Sequence, residues 1–117
     1  MKKIIILIPV YNDWQSLNKL LIAINENIKF FNNIHFECLI VNDASTIEPP
    51  EIHKPSNIGL VELLNMRENK GHARCNAFGI RYVFQNKEFD NLILMDGDGE
   101  DRPEEIKSLI EKIKEDP

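Results

Sequence analysis

The sequence predicts an α/β protein, a three-layer α/β/α sandwich around a mostly parallel sheet. Two observations carry that prediction. Short continuous apolar runs alternate with stretches whose apolar residues recur at helical spacing. Polar clusters then follow each apolar run, at the strand ends where ligands of parallel sheets bind.

The first run, Lys3 to Val10, is apolar throughout, as a strand covered on both faces should be. Its charged start imitates a signal peptide, but Pro9-Val10-Tyr11-Asn12-Asp13 follows with no small-residue cleavage site. Trp14, Leu17, Leu20, Leu21, Ile24 and Ile28 then mark a helix. Asn12 or Asp13 can cap it, because a short polar side chain accepts from its free amides. Phe36 to Val41 is a second strand, ended by Asn42-Asp43-Ala44-Ser45. The proline-containing stretch Thr46 to Gly59 reads as loop. Leu60 to Met66 is a third strand. Gly71 to Phe84 is a helix with Ala73, Ala77, Ile80 and Phe84 on one face, and Asn91 to Met95 a fourth strand. Pro103 opens the last helix, where a missing N–H costs nothing. Glu104 and Glu105 in its first turn and Lys112 and Lys114 in its last complement the helix dipole. Ile106, Leu109, Ile110 and Ile113 form its stripe.

With 117 residues, 43% hydrophobic and 28% charged, residues 1–117 make one domain able to bury a core. The net charge of -5 argues against a nucleic-acid partner, since phosphate backbones attract basic faces. Cys38 and Cys75 lack a CxxC pattern and read as free thiols of a reducing compartment, hence a cytoplasmic protein. No run approaches the roughly 20 apolar residues of a membrane span.

The polar clusters carry the chemistry. Tyr11-Asn12-Asp13, Asn42-Asp43, Asn69 to Arg74 and Asp96 to Asp101 each follow a strand, so their joint placement points to one shared site. Asp96-Gly97-Asp98 sets two carboxylates two residues apart, where hard oxygen ligands can hold a divalent cation.

Ile8-Pro9-Val10-Tyr11-Asn12, Val41-Asn42-Asp43-Ala44-Ser45-Thr46, Asn69-Lys70-Gly71-His72-Ala73-Arg74-Cys75-Asn76 and Met95-Asp96-Gly97-Asp98 resemble, in order and spacing, the nucleotide-sugar-binding half of family 2 glycosyltransferases. The resemblance covers nearly the whole chain and implies the Rossmann-like GT-A fold. The stretch from Asp96 to Glu105 is especially similar to the branch resembling dolichyl-phosphate mannose synthase. Those enzymes move a sugar from a nucleotide diphosphate to a polyprenyl phosphate.

The resemblance implies a metal pair, Asp96 and Asp98, holding Mg²⁺ or Mn²⁺ against the diphosphate of a UDP- or GDP-sugar. Glu100 either joins them or is a solvated loop carboxylate. Asp43 matches the position that accepts from a nucleobase N–H, although many members carry Asp where this chain has Asn42. Pro9, Tyr11 and Asn12 would border base and ribose. Tyr11 equally fits a packing residue, and Asn12 a cap. Asn69, Gly71 and Arg74 would lie beside the nucleotide, with Arg74 on the diphosphate or paired with an acidic loop group. His72 has no matched partner and reads as a loop or surface residue, as do His35 and His53.

The implied activity is inverting, metal-assisted transfer to a polyprenyl phosphate or a glycan, at the cytoplasmic face of a membrane if a membrane segment is attached. In the family the catalytic base comes from a later segment, so none is assigned here. The chain therefore reads as the donor half of a longer enzyme, or else as a module that binds a nucleotide sugar without transferring it.

Three other classes fit worse. An EF-hand loop starting at Asp96 fails at Asp101 and Lys107, where glycine and glutamate are needed. An acidic-nucleophile phosphohydrolase would carry its DxD after the first strand. A dinucleotide-binding domain needs a glycine-rich turn where Val10-Tyr11-Asn12 stands.

Overall fold

A computed structural model describes residues 1–96 and 105–115. The elements run β1 (Lys2–Val10), α1 (Trp14–Ile28), β2 (Ile34–Asn42), β3 (Leu60–Asn65), α2 (His72–Asn86), β4 (Asn91–Leu94) and α3 (Glu105–Glu115). The strands form one sheet in the order β3-β2-β1-β4, and every pairing is parallel. The expected three-layer α/β architecture is the one observed.

The pleat sorts the core into two. Ile4, Ile6 and Ile8 of β1 and Phe36, Cys38 and Ile40 of β2 face the layer of α1 and α3. Ile5, Leu7, Leu39 and Val41 face α2 on the other side. Burial on both faces explains why β1 carries no polar alternation. The six apolar positions expected on the first helix are the six that α1 buries.

Two helices depart from expectation. On α2 the residues packed inward are Cys75, Gly79 and Val83, whereas Ala73, Ala77 and Phe84 are exposed. Gly79 is the reason. A Cβ there would stand 2.6 Å from Leu7 Cδ1 and 2.9 Å from Val41 Cγ2, so the bare backbone is what lets α2 lie close on the sheet. On α3, Ile106 and Ile110 are buried and Ile113 packs beside them, but Leu109 is half exposed. The expected helix opening at Pro103 and Glu104 lies outside the described residues.

The chain steps from β1 outward through β2 and β3, then returns to place β4 on the far side of β1. That reversal leaves a crevice beyond the carboxyl end of β1, with α2 on one face of the sheet and α1 and α3 on the other.

Candidate functional site

The site begins with two left-handed residues. Val10 pairs with Asn42 at the ends of β1 and β2. Two residues beyond each, Asn12 (φ 62°) and Ala44 (φ 56°) turn both strands out of the sheet. Asparagine tolerates that conformation better than most residues, alanine less so. The turns are then locked together. Asn12 N donates to Ser45 Oγ at 2.8 Å, while Asn12 Oδ1 accepts from Thr46 N at 2.8 Å and Ile47 N at 3.0 Å. Trp14 Nε1 donates to Ile47 O at 3.0 Å. Asn12 therefore ties the loop after β2 to the turn after β1, and Asp13 is the cap, accepting from Ser16 N. Asn42 turns back on its own loop, its Oδ1 accepting from Ser45 N and its Nδ2 donating to Asn65 Oδ1.

Asp43 joins the next pair of loops. It is buried, and its carboxylate accepts from Lys70 N at 2.9 Å and Gly71 N at 3.1 Å. Asn69 Nδ2 donates to Asp43 O at 3.2 Å. Gly71 takes φ 86°, a value an L side chain rarely adopts, so the backbone can present these amides to Asp43 and then enter α2. Gly71 offers no side-chain cap and the first turn of α2 holds no acidic residue. The amides of that turn and the exposed Arg74 thus form a positive end.

Between these loops lies a cleft of about 300 Å³, lined by Pro9, Val10, Tyr11, Asp13, Asp43, Asn69, Gly71, His72 and Cys75. Five of the expected donor residues, Pro9, Tyr11, Asp43, Asn69 and Gly71, come together there. Asn12 lies behind the wall in its loop contacts, and Arg74 stands outside the lining on the first turn of α2. Val10, Asp13, His72 and Cys75 also line the cleft; Asp13 and His72 belong to the polar clusters expected at a shared site, but none of the four was assigned a donor contact. Cys75 forms the floor. Its thiol is fully buried, 3.5 Å from Val41 O, and burial together with the nearby Asp43 charge pushes its pKa up to about 12. Cys38, buried in the opposite core, is likewise pushed up to about 12. Both cysteines are free.

His72 departs furthest from the sequence reading. Its Nε2 lies 2.5 Å from Asp96 Oδ1, bridging the start of α2 and the exit of β4. It is a cleft residue with a partner. Neither sequence neighbourhood signals this, because the partner is brought close only by the fold. Of the expected metal residues, only Asp96 is described; Asp98 and Glu100 lie outside the described residues. Among the described residues no three His, Cys, Asp or Glu side chains gather as a metal site. His35 is half-buried against Glu37, and His53 is exposed. No helix among the described residues is long and apolar enough to cross a membrane.

Known proteins resemble this chain along nearly its whole length. The protein named "uncharacterized glycosyltransferase YkcC", from Bacillus subtilis (strain 168), is 29% identical over 119 residues. That match takes in 94% of this chain and 33% of YkcC, so the chain spans about a third of that relative's length. The model of the family described as "Glycosyl transferase family 2" matches residues 5–117. Together with the parallel sheet and its crevice, that match identifies the chain as a member of glycosyl transferase family 2.

Proposed function

We propose that this chain is the donor-binding domain of a glycosyltransferase that takes a sugar from a nucleoside diphosphate. The observation that carries this reading is the cleft beyond β1, walled by Pro9 and Tyr11, with buried Asp43 bonded to the residues that open α2 and the first turn of that helix beside it. Its volume suits the nucleoside part of such a donor.

The residues divide the work by chemistry. Each oxygen of Asp43 has room for more than one donor, so the carboxylate can hold the loop at Lys70 and Gly71 and still accept a base N–H. Tyr11, about half exposed, offers a ring face at the mouth. The first turn of α2 and Arg74 favour the diphosphate, because free amides and a cation both stabilise an anion. Asp96, Asp98 and Glu100 would hold Mg²⁺ or Mn²⁺; the carboxylate of Asp96, at the exit of β4, is the hard oxygen donor those ions prefer. Such an ion, when bound, neutralises charge on the departing nucleoside diphosphate. The acceptor we propose is a polyprenyl phosphate or a glycan at the cytoplasmic face of a membrane, as in the dolichyl-phosphate mannose synthase-like branch; its oxygen attacks the anomeric carbon of the donor sugar with inversion as the bond to the nucleoside diphosphate breaks.

Calorimetric titration with a panel of UDP- and GDP-sugars, with and without Mn²⁺, tests the reading. The expected result is binding of one nucleotide class that tightens at least tenfold with Mn²⁺, about 1.4 kcal/mol. Metal-independent binding, or no nucleotide binding, would count against it.

A further inference from the structure

We infer that His72 is a positioning residue for Asp96, a role that rests on the donor-binding reading above. Asp96 lies just past the last sheet bond of β4. The edge strand β4 ends at Leu94, and Met95 N makes a sheet-type bond to Leu7 O at 2.9 Å. Asp96 follows in a segment without regular structure, with its side chain about one-third exposed. At such a position the groups that bond the carboxylate set its rotamer.

His72 is one such group, and it stands on a rigid element. It is the first residue of α2, and α2 is packed closely on Leu7 and Val41 through Gly79. An ionised carboxylate can only accept, so the imidazole donates through Nε2 to Oδ1 across 2.5 Å. The same ring lines the nucleotide cleft. His72 therefore couples the place where a nucleoside would sit to the carboxylate that would meet the metal. Hydrogen bonds to ligating carboxylates fix ligand direction, and losing one weakens metal binding by about 10- to 100-fold. His72 is more than half exposed, so removing its ring leaves the core intact and the effect can be read as one on the site.

Mn²⁺ titrations followed by electron paramagnetic resonance, with UDP or GDP present, test this on the 117-residue chain. The variants are His72→Ala, His72→Gln and Asp96→Ala, each with a thermal melt. We expect His72→Ala to bind Mn²⁺ about 10- to 100-fold more weakly with an unchanged melt. His72→Gln, which keeps a side-chain N–H donor, restores most of that loss. Unchanged Mn²⁺ affinity in His72→Ala beside a loss in Asp96→Ala overturns the role of His72 and leaves the donor-binding reading standing. A His72→Gln variant as weak as His72→Ala also overturns it, since donation to Asp96 would then not be what the ring supplies. Wild-type affinity in Asp96→Ala, or no Mn²⁺ binding by the parent chain, overturns both.

Discussion

Asp43 and Asn12 show what a polar residue at a strand end does before any ligand arrives. Each joins backbone segments that the chain itself leaves apart: Asp43 holds Lys70 and Gly71, and Asn12 holds Thr46 and Ile47. Asp43→Asn separates this architectural work from recognition. The amide would turn an NH₂ group toward a backbone N–H, losing one bond and setting two donors face to face. The buried amide left unpaired should cost about 1–3 kcal/mol, seen as a lower urea midpoint without ligand. Nucleotide affinity should fall as well. A variant as stable as its parent would show that the loop at residues 69–71 holds itself. The importance of Asp43 was legible in its place after an apolar strand. Its partners were not, because the sequence does not say which loops meet. The pairing of His72 with Asp96 was hidden for the same reason, and a lone histidine carries no periodic signal.

At the scale of the element, α2 is where the sequence reading chose the wrong face. Two sets of residues sit at helical spacing: Ala73, Ala77, Ile80 and Phe84, and Cys75, Gly79 and Val83. The first is more apolar, so hydropathy favoured it. The second is the one that is buried, with Ile80 of the first packed at its edge, since the contact surface here is set by closeness. Glycine inside a helix is the signal that could have decided it, because it lowers helix propensity and is kept where another backbone or side chain comes near. Gly79→Ala provides the check. Alanine gains about 1 kcal/mol of intrinsic helix propensity. Its methyl must nevertheless displace Leu7 and Val41 side-chain atoms now 2.6 and 2.9 Å from that position. Overpacking of this kind costs about 1–3 kcal/mol, so the variant should be destabilised in urea melts despite its better propensity. Stabilisation would mean that α2 can lift from the sheet without loss. By contrast α1 was fully legible: its six buried positions follow one unbroken stripe, and no glycine competes with it.

Across the whole molecule the sheet has two unlike ends. The carboxyl ends of the strands carry the cleft, while the amino end of the α2 face is fastened by ion pairs. There Glu37 meets Lys3, His35 and Lys87 at 3.0–3.1 Å, Lys87 also reaches Glu62 at 2.8 Å, and Tyr82 of α2 bonds Glu62. This cluster clamps the far end of α2 and so supports the start of that helix beside the cleft. Burial alone would raise the Glu37 carboxyl, but the bonds from Lys3, His35 and Lys87 outweigh it and hold the group below its ordinary 4.5. Desolvation alone would lower Lys87, yet Glu62 and Glu37 hold it above 10.5. A depressed acid stabilises the fold above its unfolded pKa and loses that contribution as pH falls through the folded value; a raised base does the reverse on the alkaline side. The cluster is therefore fully effective between about pH 5 and pH 10, and weakens below and above that window. Glu37→Gln should lower the urea midpoint at pH 7, because Lys3 and Lys87 would lose a charged partner. The gap between parent and variant should narrow as the pH falls from 5 through the depressed value at which the parent carboxyl takes up its proton. A gap constant over that range would mean that Glu37 acts by packing and not by its charge, and the far end of α2 would then be held by apolar contacts alone.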